Sequence, residues 1–166
     1  MNILIFNPQL VINSKDKFTT GIIYLPILLA SISSNLKKNN IDHKIIDLFG
    51  NNTYKIKKKD NFLIAGEETT KYEDEINKSD IIFIYASQVI NHLSVIDLLK
   101  TIRSINEEVK IFILENTQAV TAYSLKNIAN EFLLSDNDHV LLGESEKKVV
   151  EICKNISTGK SLENLK

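Results

Sequence analysis

Strand-like and helix-like segments alternate five times along this chain, and that order admits few folds. Residues 2–6 (Asn-Ile-Leu-Ile-Phe) are apolar at successive positions and end in Asn7-Pro8. Such a run buries both faces of a strand. Residues 7–20 are polar and are expected to form a loop. Residues 25–39 carry Leu28, Leu29, Ile32 and Leu36 at helical spacing, with Pro26 suited to the first turn. Residues 43–48 read as a second strand, closed by Gly50. Residues 51–60 are polar and basic, a surface excursion. Residues 67–78 look helical at their end, with Tyr72 and Ile76 four apart. Residues 80–85 (Asp-Ile-Ile-Phe-Ile-Tyr) are the clearest buried strand. A helix over 95–105 follows, with Ile96, Leu99 and Ile102 on one stripe. Residues 110–114 give a fourth strand, and 121–132 a helix with Leu125, Ile128 and Ala129 inward. Residues 139–142 give a short fifth strand. Residues 144–155 give a last helix with Val149, Val150 and Cys153 inward.

This alternation implies an α/β domain of three layers, a five-stranded parallel sheet between helices. Right-handed crossovers favour the flavodoxin-like (Rossmann-like) order 2-1-3-4-5. The domain is expected over residues 1–156, with 157–166 a flexible tail. Ligands of such sheets bind beyond the carboxyl ends of the strands, at the switch point beside the first strand. The candidate site is therefore Asn7, Pro8 and Gln9, with Ser87, Gln88 and Val89, then Glu115, Asn116 and Thr117, and finally Gly143 and Glu144.

Composition narrows the function classes. The net charge is -1 over 166 residues, which gives no nucleic-acid footprint. Cys153 is the single cysteine, so an internal disulfide is impossible and a cytoplasmic setting is expected. No apolar run is long enough to cross a bilayer, and the amino terminus reads as a strand rather than a signal peptide. There is no G-x-G-x-x-G loop, no Walker-type loop and no nucleophile elbow. Asn7-Pro8-Gln9 cannot supply the acidic residues of a magnesium-binding response regulator.

Several blocks then resemble a family. The first strand ending in Asn7-Pro8 is similar to the opening of the cobalamin-binding domains found in front of radical S-adenosylmethionine enzymes. Tyr24-Leu-Pro26 leading into a Leu/Ala-rich helix, then a strand ending in Asp47, resembles the next block. Asp80 to Ser87 is similar to the third strand, and Gly143-Glu144-Ser145-Glu146 to the closing turn into the last helix. The resemblance spans about residues 1–156. It implies a cobalamin-binding or cobalamin-binding-like module, with cobalamin as cofactor and a radical S-adenosylmethionine cluster-binding domain or subunit as partner. Neither nucleic acid nor membrane is implied. The C-x-x-x-C-x-x-C cluster motif is absent, so no catalysis by this chain alone is expected. Two further departures stand out. Glu115-Asn116 replaces the Gly-Gly that lets backbone approach the cobalamin tail, and residues 7–13 hold no axial histidine. An alternative therefore stands beside the first reading, a degenerate module that keeps the fold and acts as a non-binding interaction subunit. An independent small transferase lacks the phosphate loop and acid/base pair it would need.

Single residues carry two readings each. Asn7 could donate to a ligand or close its own turn with Pro8. Ser87 and Gln88 end the central strand, the best place for a ligand. Thr117 could meet a phosphate or cap a turn. Glu144 and Glu146 suit the start of the last helix. Lys55, Lys57, Lys58 and Lys59 could attract an anion or simply face solvent. His92 is expected as a surface or capping residue, and His43 and His139 as structural. Tyr24 and Phe18 could pack over a corrin or close a core edge. The Cys153 thiol is expected buried and unreactive.

Overall fold

The computed structural model describes residues 1–15, 26–117 and 124–160. Five strands form the parallel sheet: β1 (Ile3–Asn7), β3 (Lys44–Asp47), β6 (Ile81–Ala86), β7 (Lys110–Glu115) and β8 (Asp138–Leu141). Their order is β3-β1-β6-β7-β8, the 2-1-3-4-5 arrangement, and every pair is parallel. The switch point lies between β1 and β6, as the alternation predicts.

Alternate side chains of each strand point to opposite layers. Ile3, Ile5, Phe83, Tyr85, Phe112 and Leu114 meet α1 (Ile27–Lys38) and α5 (Ser145–Ser157) on one face. Leu4, Phe6, Ile82, Ile84, Ile111 and Ile113 meet α3 (Glu73–Asn77) and α4 (His92–Ile105) on the other. Leu28, Leu29, Ile32 and Leu36 are buried on α1, at the expected spacing. Each such burial contributes about 1.5–3 kcal/mol. Cys153 lies within α5's buried face, and burial pushes its thiol up to about 12.

A second sheet was not legible in the sequence. Leu10–Asn13, inside the expected loop, is β2, and Ile56–Lys59, inside the expected surface excursion, is β4. With β5 (Phe62–Ala65) they form an antiparallel sheet in the order β2-β5-β4. Asp60, with a left-handed φ of 54°, turns the two-residue connection between β4 and β5. A short helix, α2 (Leu48–Asn51), follows β3 directly. The helix expected over 121–132 is also corrected. From Ser124 onward the chain makes turns and one 3-10 turn, Ala129–Phe132, while residues 121–123 lie outside the described residues. Leu125 is buried as expected and Ile128 and Ala129 are half-buried, without a helix to carry them, and Phe132 is buried as well.

The charged anchor of β8 sits at the opposite end from the strand exits. Asp138, fully buried, bonds Arg103 of α4 through one oxygen and the amides of Leu134 and Ser135 through the other. His43 bonds Ser33 and His139 stacks on Phe112, so both serve packing. Of the expected tail, Ser157 ends α5, and Lys160 folds back to bond the Asn155 carbonyl at 2.9 Å. Residues 161–166 lie outside the described residues, as do Phe18 and Tyr24. No described helix is long and apolar enough to cross a membrane.

Candidate functional site

The exits of β1, β3, β6 and β7 each place a polar side chain at the carboxyl edge of the sheet, and these are tied up in hydrogen bonds there. At the β1–β3 edge, Asn7 Nδ2 donates to Asp47 Oδ1 at 2.8 Å. The same oxygen accepts the Gly50 N–H at 2.8 Å, which caps α2. Pro8 is buried, and Gln9 Nε2 donates to the Glu67 carbonyl at 3.0 Å. The exit of β1 is thus tied to β3 and to Glu67, two residues past the end of β5.

At the switch point, Asn91 is the bridge. Its Oδ1 accepts the Val11 N–H of β2 at 3.1 Å, and its Nδ2 donates to Ser87 Oγ at 2.9 Å. Asn116 Nδ2 in turn donates to the Ser87 carbonyl at 2.7 Å. Asn91 and Asn116 are both buried, at 5% exposure. The network runs from β2, through the exit of β6, to the exit of β7.

Glu115 completes the line toward β8. It is the last residue of β7 and only 8% exposed. Its Oε1 accepts the Leu125 N–H at 2.7 Å, and its Oε2 accepts the Gly143 N–H at 2.6 Å. Both oxygens of a buried carboxylate are therefore used by backbone amides. Gly143 presents its amide from a φ of +74°, a conformation that favours glycine.

The remaining candidates sit outside this line. Gln88 is half-buried before the 3-10 turn Val89–Asn91, Val89 is 61% exposed, and Thr117 is exposed. Glu144 is exposed and stands at the start of α5 without a side-chain capping bond. His92 pairs with Glu131 and packs edge-on against Phe132. Sequence reasoning missed Asp47, Asn91 and Glu67 as members of the site. Glu67 is buried beside the exit of β1, bonded to Lys55 and Lys71 at 2.8 Å each. The Lys55 and Lys71 ammonium groups and the Glu68 amide hold its carboxyl near 2.

The three-stranded sheet packs beside the exits through Asn91 and through Gly66. Gly66 has a φ of +136°, and a Cβ there would meet the Leu48 carbonyl oxygen at 2.7 Å. The Glu67 N–H donates to that carbonyl at 2.7 Å. Among the described residues, no three or more His, Cys, Asp or Glu side chains come together as a metal site.

No family model matches the chain, and no curated protein matches it. Among solved structures it is similar to the flavodoxin-like domain of a Synechococcus protein. That likeness has a TM-score of 0.50 and 13% sequence identity, over 96% of this chain and 99% of that one. Together with the observed strand order, it shows a flavodoxin-like α/β fold and nothing about a ligand.

Proposed function

We propose that this chain is a cobalamin-binding-like module that has kept the fold and lost the cofactor. In this reading it serves as an interaction subunit of a radical S-adenosylmethionine system in the cytoplasm. The observation that carries it is Glu115. The resemblance puts Gly-Gly after the fourth strand of the sheet, where backbone meets the cofactor's nucleotide tail. Here a buried carboxylate stands at that position and holds the Gly143 and Leu125 amides itself. An anionic phosphodiester brought against it would meet like charge in a desolvated place. It would also have to break two charge-assisted hydrogen bonds. Asn116 and Asn91 fill the neighbouring ground with side chains bonded to Ser87. These residues do not fit the cofactor, so the chemistry of such a system falls to the partner.

The test is titration of the full chain with hydroxocobalamin, followed by the visible spectrum and by equilibrium dialysis. The account expects no spectral change and no retained cofactor at high micromolar concentration. Stoichiometric retention by the unaltered chain would return it to the cofactor-binding reading.

A further inference from the structure

The three-stranded sheet and α4 flank a basic recess beside the bonded strand exits, with Gln9 at its edge. We infer that this cavity binds the phosphate group of a small phosphorylated molecule. Its volume is about 470 Å3, within the range of small-ligand sites. Lys57, Lys58, Lys59 and Ile64 of the small sheet line it. Val11, Ile64 and Lys57 form one cross-strand row, and Asn13, Phe62 and Lys59 form another on the same face. α4 supplies Asp97, Leu98, Lys100 and Thr101 opposite.

Four lysines and two carboxylates, Glu68 and Asp97, line the cavity. Lys59 is spent on Asp97, and nearby Lys55 on Glu67. Lys57, Lys58 and Lys100 are exposed and make no ion pair or hydrogen bond among the described residues. Lys57 and Lys100, uncommitted and on facing elements, suit a phosphate, which accepts from several donors at once. Ile64 and the buried Leu98 give an apolar wall for the rest of the molecule. A polymer is disfavoured, because the net charge is -1 and the lysines occupy a recess rather than a broad face.

The experiment titrates the full chain by calorimetry with inorganic pyrophosphate and with adenosine diphosphate, using adenosine as the phosphate-free comparison. Saturable binding of the phosphorylated probes is expected, weakened by added salt. The K57Q/K100Q variant should lose about tenfold or more in affinity, because each lost charged hydrogen bond removes a large share of the binding free energy. Both positions are exposed, so the variant should keep the parent melting temperature. Lys147→Gln on α5 should bind like the parent. Equal binding by K57Q/K100Q, or adenosine binding as tightly as its diphosphate, would overturn the inference. So would failure of both phosphorylated probes to saturate up to about 10 mM. The cobalamin result stands apart, since that titration probes the strand exits.

Discussion

Glu115 sets the character of the carboxyl edge at the scale of single residues. An anion at this place is satisfied by two backbone amides that a bound phosphate could otherwise use. The side chain therefore does from within what a ligand does from without. Its removal leaves two donors without partners, and each such donor costs about 1–3 kcal/mol when buried. Glu115→Ala is expected to lower stability by roughly 2–4 kcal/mol in urea unfolding. A variant as stable as the parent would mean that the amides find water at no cost. Asn91 works similarly, since one carboxamide uses its oxygen on β2 and its nitrogen on Ser87. The strand-exit positions of Asn7, Ser87, Glu115 and Gly143 were legible because apolar runs end there. Their partners were not. Nothing in the local sequence brings Val11 to Asn91, 80 residues on, or Gly143 to Glu115, 28 residues back.

Among elements, the second sheet is the main departure from what periodicity suggests. The central strands β1, β6 and β7 announce themselves because both faces are buried and successive residues are apolar. β4 reads Ile-Lys-Lys-Lys and is exposed throughout, so no alternation marks it as a strand. β2 pairs with β5, about fifty residues away, and a short run beside Pro8 gives no sign of that partner. The stripe at Leu125, Ile128 and Ala129 satisfies helical spacing equally well in a turn followed by a 3-10 segment. Glu67 ties this region together, joining Lys55 just before β4 to Lys71 in the 3-10 turn Thr69–Tyr72. Its carboxyl lies near 2 in the folded chain, against an ordinary value of 4.5. A lowered value means that the unfolded chain binds the proton more readily. The stabilisation is complete above pH 4.5 and is lost as pH falls toward 2. Glu67→Gln should flatten the fall in melting temperature over that window while lowering stability at neutral pH. An unchanged acid profile would remove Glu67 from this role.

For the whole molecule, the parallel sheet and its flanking helices are those of a flavodoxin-like fold. Folds of this kind ordinarily leave a crevice at the switch point. In this chain Asn7 with Asp47 ties the exits of β1 and β3, Asn116 with Ser87 those of β7 and β6, and Glu115 with Gly143 those of β7 and β8, while Asn91 joins Ser87 to β2. Those bonds are the physical content of the proposed loss of cofactor. They also leave the recess between the small sheet and α4 as the place where a ligand would find uncommitted charge. Amide hydrogen exchange at Gly143 and Leu125 tests the closed edge most directly. Both amides should be strongly protected in the parent chain and lose that protection selectively in Glu115→Ala, while core amides of β6 keep theirs. Exchange of these two amides at unprotected rates in the parent would contradict the account.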